Sequence, residues 1–259
     1  MFSARTCDFS RVQRNEPPPE SSRPLFLAKA GASRLVFSSS AFAQGWSHRP
    51  SDFAPAHLPL TELSPTNPHE SYGLSKLLGE TAAAAVARTS ARTSKPITFA
   101  SLRFTNLVYP DAEHTLPWAA PSEEHPANVL MWCWTKAGDV ANAHVAALEA
   151  ESVGPQPHEP FLLSAPTTRF VEHSADLAAK WYPVRNEEAR EANFDNCLMT
   201  HFSQTFPLFF QGVRLTRPLV GNESLIDASK AKAILGWEPT TVPQLVLSLG
   251  NKKATRASG

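Results

Sequence analysis

The sequence predicts an α/β protein in which helices alternate with the strands of a mostly parallel sheet. Two segments carry most of this prediction. The segment "YGLSKLLGETAAAAVARTSA", which starts at Tyr72, combines leucines at helical spacing with many alanines and is typical of a helix. The segment "SRLVFSSS", which starts at Ser33, places a short apolar run between small polar residues. That pattern is typical of a buried parallel strand.

The other elements are predicted from apolar runs, caps and helix breakers, in chain order. "LFLAKAGA" is expected to form a first short helix, and residues 41–71, with five prolines, a long loop. "PITFASLRF" predicts a strand, and "GDVANAHVAALEA" predicts a helix with Asp139 as its N-cap. "EPFLLSAP" predicts another strand. Three more helices are expected in "VEHSADLAAKWYP", in "ASKAKAILGWEP" with Gly236 at its end, and in "TVPQLVLSLG".

Composition excludes several functional classes. The 259 residues are 42% apolar, and 24 basic residues balance 24 acidic ones, so nothing in the overall charge favours nucleic acid or an acidic membrane surface. No apolar run is long enough for a transmembrane helix. Three scattered cysteines are typical of reduced thiols, and we therefore expect a cytoplasmic protein. The nine histidines show no metal-ligand spacing, so no metal site is expected.

The first candidate for chemistry is the pair Tyr72 and Lys76, which lie four residues apart at the start of the predicted helix. Residues at this spacing share one helix face. A nearby ammonium stabilises a phenolate, so a tyrosine with a lysine beside it is suited to general acid–base catalysis. The same spacing is also typical of an ordinary solvated helix face, and that alternative stays open.

The second candidate is the run Ser38-Ser39-Ser40, which lies where the first predicted strand ends. Ligands of open α/β sheets bind outside the carboxyl ends of the strands. A serine hydroxyl at this place can bind a substrate oxygen while a tyrosine transfers a proton to it. The alternative is that these serines only terminate the strand.

"RLVFSSSAFAQG" is followed further along the chain by "ELSPTNPHESYGLSKLLGE". These segments, in this order, resemble the catalytic part of the extended short-chain dehydrogenase/reductases, specifically of the NAD-dependent epimerase/dehydratase family. "SLRFTNLVYP", "TKAGDVANAHVAALEA", "EPFLLSAP" and "SLIDASKAKAILGWEP" resemble its later segments, so the resemblance covers residues from about 25 to 245. It implies a partial Rossmann-type, doubly wound parallel sheet with a small C-terminal substrate lobe.

The resemblance also implies roles for single residues. Tyr72 becomes the general acid/base, Lys76 its electrostatic partner and a ligand of the nicotinamide ribose, and Ser40 a ligand of the reacting oxygen. Ser38 is expected on the cofactor side, with Tyr72 and Lys76. Asn106 is expected on the substrate side. Arg214, together with Arg217, is a candidate for a substrate diphosphate, although a solvated surface explains two arginines equally well.

The glycine-rich turn that holds the pyrophosphate of NAD in this family is missing from the sequence, which contains no G-x-G-x-x-G or G-x-x-G-x-x-G. We therefore expect residues 1–24 to be a disordered tail or linker, 25–150 the catalytic half of a Rossmann-like domain without its first half, and 151–259 the substrate lobe and a tail. The strand "RLVFSSS" should then be a sheet edge. NAD or NADP is the expected cofactor, but this chain alone should bind it poorly.

The leading functional hypothesis is hydride transfer on a sugar nucleotide or a related hydroxyl or carbonyl compound, with a tyrosine acid/base. Two alternatives stay open. One is a carbonyl reductase or hydroxysteroid-type dehydrogenase of the same superfamily. The other is a truncated, catalytically inactive chain that serves as a binding partner. The resemblance further suggests a homodimer formed through the helix that carries Tyr72.

Overall fold

The computed structural model describes residues 32–45, 55–115, 132–181 and 213–240. Within these ranges we number the strands and α-helices in chain order. The strands are β1 (Arg34–Ser40), β2 (His57–Leu58), β3 (Thr98–Phe104), β4 (Asn106–Val108), β5 (Trp134–Lys136), β6 (His158–Leu163) and β7 (Arg214–Leu215). The helices are α1 (Ser71–Ser90), α2 (Ala137–Glu149), α3 (Ser174–Trp181) and α4 (Ser229–Leu235). The expected helices in 25–32 and 241–250 and the expected tail in 1–24 lie outside the described residues.

The central sheet is parallel, with strand order β1-β3-β6. Leu35 lies beside Phe99, and Phe99 in turn lies beside His158, so the three strands keep one continuous register. Helices cover both faces of this sheet, because α1 packs on one face and α2 with α4 on the other. The protein therefore has an α/β, Rossmann-like, doubly wound architecture, as the sequence predicts. Within the described residues β1 lies at one end of this strand order, and the expected sheet edge stays a prediction.

Helix α1 packs through small side chains. Its Ala83 and Ala87 are buried against Ile97 and Phe99 of the β3 segment. The leucines at helical spacing in this helix lie on its outer side instead, since Leu74 and Leu78 are 47% and 55% exposed. Alanine and glycine lie inward because the helix backbone approaches the sheet too closely for leucine to fit.

The opposite face of the sheet is covered by α2 and α4. Ala143 and Ala147 of α2, together with Leu235 of α4, pack on Phe161 and its neighbours in the sheet. Gly236 ends α4 in the left-handed conformation with φ 64°, which confirms the predicted stop signal.

The beginning of α2 differs from the prediction. The N-cap is Lys136, and Asp139 lies inside the first turn, where it is buried. Its carboxylate accepts hydrogen bonds from the backbone N–H and the hydroxyl of Thr240, at 3.0 Å each. Asp139 thus ties the segment after α4 to α2 instead of capping the helix.

A second apolar cluster lies beyond the sheet, around the segments that follow it in the chain. Phe170, Leu177 and Leu225 pack there with Leu58 and Trp132. Strand β2, which lies inside the predicted loop 41–71, pairs in parallel with β7, so part of that segment is regular structure. This pairing joins residues far apart in sequence, which local patterns do not reveal.

Trp132 and Trp134 are only two residues apart but do not lie on one strand. Trp132 has φ 63° and lies outside β5, whereas Trp134 begins that strand. The two side chains are buried in different apolar clusters. Among the described helices, none is long and apolar enough to cross a membrane.

Candidate active site

Tyr72 and Lys76 lie in the first two turns of α1 and face the same side of the helix. The Lys76 Nζ atom is 5.6 Å from the centre of the Tyr72 ring and 5.5 Å from the centre of the Phe37 ring. Glu70 caps this end of the helix, because its carboxylate accepts hydrogen bonds from the backbone N–H groups of Tyr72 and Gly73. The shared face predicted from the four-residue spacing is confirmed.

The turn that follows β1 supports Tyr72. Ser40, the last residue of the strand, is buried, and its Oγ accepts a hydrogen bond of 3.2 Å from the backbone N–H of Phe42. The Phe42 ring meets the Tyr72 ring edge-on, with 5.7 Å between the ring centres. Tyr72 therefore lies beside the carboxyl end of a parallel strand, the place where open α/β sheets bind ligands.

Gly73 allows the helix to approach this turn. A Cβ atom at Gly73 would lie 2.5 Å from the Phe42 carbonyl oxygen, closer than two such atoms can approach. Six residues further along, a Cβ atom at Gly79 would lie 2.5 Å from the Phe37 ring. A side chain at Gly73 would therefore push the start of α1 away from the turn after β1, whereas one at Gly79 would displace the Phe37 ring.

A buried polar network links α1 to two strands. Glu80 Oε1 accepts hydrogen bonds from Ser39 Oγ at 2.5 Å and from Arg103 Nε at 2.9 Å. Glu80 Oε2 accepts a third from Arg103 Nη2 at 2.6 Å. All three side chains are buried. Sequence analysis missed this network, although a charged residue inside the apolar run "ASLRF" is a signal for it, since buried charges need partners.

Ser38 lies on the other face of the sheet from Tyr72. Successive side chains of a strand alternate between faces, and Ser38 Oγ lies 2.7 Å from His144 Nε2 on α2. The other ring nitrogen of His144 bonds to the Val140 carbonyl oxygen at 2.8 Å. The structure thus brings together Tyr72, Lys76 and the turn after Ser40, and places Ser38 with α2.

The candidate substrate residues lie on smaller sheets. Asn106 is half-buried in β4, in register with Trp134. Arg214 is exposed in β7, in register with His57. Arg217 forms a two-point ion pair with Glu223, with both N–O distances at 2.8 Å. It borders an open depression of about 200 Å³ whose floor includes Trp237.

Burial shifts the pKa values of several other titratable groups, including Glu62, His158 and Cys133. Burial raises the pKa of Glu62, whose carboxylate accepts a hydrogen bond from the Leu162 N–H. Burial lowers the pKa of His158, which bonds to Ser101 at 2.9 Å. Burial also raises the pKa of Cys133 to about 11, which keeps this thiol protonated near neutral pH. In the described ranges no three His, Cys, Asp or Glu side chains are grouped to bind a metal ion.

Comparison with known proteins identifies the family. The model of the NAD dependent epimerase/dehydratase family matches residues 25–160, more than half of the chain. The chain belongs to this family. The match covers Ser38 to Ser40, Tyr72, Lys76 and Asn106 but not Arg214. No curated protein sequence matches the chain.

Solved structures of epimerases and dehydratases are also similar to this member of the family. A UDP-galactose 4-epimerase is 16% identical, with a TM-score of 0.47, over 86% of this chain and 63% of its own. The complex of MoeE5 with UDP-glucuronic acid and NAD is also 16% identical, with a TM-score of 0.47, over 86% of this chain and 65% of its own. The dTDP-glucose 4,6-dehydratase DesIV from Streptomyces venezuelae was solved as a double mutant with NAD bound. It is 17% identical, with a TM-score of 0.45, over 86% of this chain and 60% of its own. The chain thus spans less than two thirds of the length of each.

Proposed function

We propose that this chain provides the acid–base half of an NAD(P)-dependent epimerase/dehydratase site that acts on a nucleotide sugar or a related hydroxyl or carbonyl compound. One observation carries the proposal: the Tyr72 ring, the Lys76 ammonium and the turn after Ser40 meet at the carboxyl end of β1. The family match supports the same chemistry, because it includes this whole segment.

Tyr72 is the proposed acid/base. Its side chain is 48% exposed, so a substrate can reach the phenol. Packing against Phe42 restricts the ring on one side, and the Lys76 ammonium lies over it on another. In this proposal the exposed phenol accepts a proton from a substrate hydroxyl and returns it, with the Lys76 ammonium beside the ring.

Ser40 is the proposed ligand of the reacting oxygen. Its Oγ accepts a hydrogen bond from the Phe42 N–H, which holds the hydroxyl at the end of the strand. The hydroxyl hydrogen remains able to donate to a substrate oxygen. Donation to an oxygen that gains negative charge stabilises the transition state more than the ground state.

The residues around Tyr72 fit the nicotinamide end of a dinucleotide. Lys76 offers an ammonium for the ribose hydroxyls, and the exposed face of Tyr72 leaves room beside it. Bound there, the nicotinamide would supply the hydride acceptor. The pyrophosphate end fits less well, because the sequence has no glycine-rich turn. Nicotinamide mononucleotide, which lacks the adenosine half, should therefore serve the chain about as well as NAD does.

The test is turnover of UDP-glucose by the full chain with millimolar NAD. We expect UDP-glucose to be converted without net formation of NADH. The turnover rate should fall about 10²- to 10⁴-fold in the Tyr72→Phe variant. Tyr109→Phe is the matched control, because Tyr109 is similarly exposed, at 57%. Equal rates in Tyr72→Phe and wild type would contradict the proposal.

Two other functions remain as outcomes of that test. Net formation or consumption of NAD(P)H would indicate a carbonyl reductase or hydroxysteroid-type dehydrogenase. No turnover with either NAD or the mononucleotide would indicate the catalytically inactive chain. The absent glycine-rich turn is the observation that favours this last alternative.

We also propose that α1 pairs with a second copy of this chain. Leu74, Leu78 and Ala85 follow one line along its outer side and are exposed. An apolar stripe of this kind is suited to helix packing across a two-fold axis. Light scattering should give a dimer mass for wild type and a monomer mass for Leu78→Glu. The control Leu63→Glu, at a residue that is 93% exposed but lies off the helix, should stay dimeric; a monomeric wild type would refute the pairing.

A further inference from the structure

We infer that Ser39, Glu80 and Arg103 form a positioning unit that sets α1, and with it Tyr72 and Lys76, at one fixed place along β1. The inference rests on the proposed function, because it gives these residues a role through Tyr72. They are positioning residues, because all three side chains are buried and the role inferred for them acts through Tyr72.

The first argument is the location of Glu80. It follows Tyr72 and Lys76 at four-residue steps, so the side of α1 that carries the candidate site continues directly into Glu80. At 1.5 Å per residue, Glu80 lies about 12 Å along the helix axis from Tyr72. One end of this helix segment is held by the Glu70 cap and the other by Glu80.

The second argument is the pair of strands that Glu80 joins. Ser39 and Arg103 lie beside each other in the parallel register of β1 and β3. Ser39 also directly precedes Ser40, the proposed ligand of the reacting oxygen. A carboxylate that bonds both strands therefore fixes the distance between the helix that carries the acid/base and the strand end that carries the serine.

The third argument is the apolar packing around the network. The inward side of α1 includes Gly73, Gly79, Ala83 and Ala87. Because these residues carry at most a methyl group, this side of the helix is a shallow surface. Apolar burial is non-directional, so such a surface resists a shift of the helix along its axis only weakly. Three directional hydrogen bonds, two of them in the planar fork of Arg103, allow one position only.

Stability alone does not explain this arrangement. Replacing a buried ion pair by apolar side chains of similar volume is often neutral or stabilising. A positioning role therefore predicts an outcome that a structural role does not: removing the whole network keeps the fold and loosens Tyr72.

The experiment follows the Tyr72 ring in the full chain by NMR, with labelled tyrosine and phenylalanine rings. The triple variant Ser39→Ala, Glu80→Leu and Arg103→Met removes all three polar partners together. We expect its urea midpoint to stay near that of wild type while the nuclear Overhauser effect between the Tyr72 and Phe42 rings falls at least twofold. Phe42→Leu identifies the signal. An unchanged ring contact in a folded triple variant would overturn the inference.

A second variant covers the case in which the triple variant does not fold. Arg103→Lys keeps a positive charge beside Glu80 but loses the two-point fork, and it should weaken the Tyr72–Phe42 contact by a smaller amount. The matched control is Glu159→Leu with Lys230→Met, a pair joined at 2.6 Å that links α4 to β6 and not α1. A similar loss of the contact in this control would also overturn the inference, since the effect would then be general.

Kinetics separate this inference from the proposed function. If wild type turns over UDP-glucose, the triple variant should lower kcat by about 10²-fold with little change in KM, because the ring is misplaced and the substrate still binds. If wild type shows no turnover, the proposed function fails, and the ring contact still decides whether the network positions Tyr72. A triple variant with wild-type kcat would contradict the positioning role.

Discussion

Two arginine–carboxylate pairs in this protein have nearly the same geometry and very different surroundings. Arg103 and Glu80 meet through two hydrogen bonds of 2.9 and 2.6 Å, and their side chains are only 5% and 4% exposed. Arg217 and Glu223 meet through two of 2.8 Å, with side chains 45% and 23% exposed. The first pair joins α1 to the central sheet, whereas the second closes a loop after β7.

The difference shows that burial, not bond length, decides what such a pair does. At the surface, water competes for both ions and the pair contributes little to stability. Inside, each ion has lost its water, so the loss of either partner leaves a charge that nothing compensates. Arg103 and Glu80 therefore have to stay in contact, and this contact holds α1 and β3 in one arrangement.

The largest expected effect is that of breaking the buried pair on one side only. Arg103→Met should lower the free energy of unfolding by about 3–5 kcal/mol, because Glu80 remains buried and, among the described residues, keeps only the Ser39 hydroxyl as a hydrogen-bond donor. Urea denaturation measures this loss. Adding Glu80→Leu to the same chain should restore most of the stability. If Arg103→Met lowered the free energy of unfolding by less than about 1 kcal/mol, the buried pair would contribute no more to stability than the exposed pair.

Much of this architecture is predictable from the sequence because it depends on local patterns. The strand "RLVFSSS", the helix from Tyr72, the strand "PITFASLRF" and the stop at Gly236 all form where caps and apolar runs place them. The four-residue spacing of Tyr72 and Lys76 was enough to predict that they share a face, because helix geometry fixes it.

The features that the sequence did not reveal depend on contacts between distant segments. The helical spacing of the leucines predicts α1 but does not reveal its inward side, where close approach to β1 selects glycine and alanine. Asp139 was expected to cap a helix, and instead it binds Thr240, which is 101 residues away. Glu80 and Arg103 meet across 23 residues, and only the parallel register brings Ser39 to them.

A smaller effect should appear in the pH dependence of stability beside the buried pair. Burial lowers the pKa of His158 below its ordinary 6.5, against the attraction of Glu80 and Glu159 and with the repulsion of Arg103 and Lys230. The unfolded chain then binds a proton more tightly than the folded one. Stability is fully present above pH 6.5 and falls as pH drops from there toward the folded pKa.

The measurement is the urea midpoint at several pH values for wild type and His158→Gln. We expect the variant to lose less stability than wild type between neutral pH and pH 5, since glutamine does not titrate. His57→Gln is the control for the loss of a histidine–serine hydrogen bond, because His57 lies 3.2 Å from Ser64. If the urea midpoints of wild type and His158→Gln changed in parallel with pH, the burial of His158 would not contribute to the pH dependence of stability.

The smallest effect is expected at the surface pair, and it completes the comparison. Arg217→Met should lower the free energy of unfolding by about 0–1 kcal/mol at neutral pH, the range typical of exposed pairs. Burial by itself would raise the pKa of Glu223, but hydrogen bonds from Arg217 and the Val220 N–H, with the charge of Arg217, outweigh it and hold the pKa below 4.5. The stabilisation should therefore be complete above pH 4.5 and disappear as pH falls through the lowered pKa, so that wild type and Arg217→Met converge in acid. High salt should reduce the same difference at neutral pH, because exposed charges are screened. A loss as large as that of Arg103→Met would show that the geometry of the pair matters more than its burial.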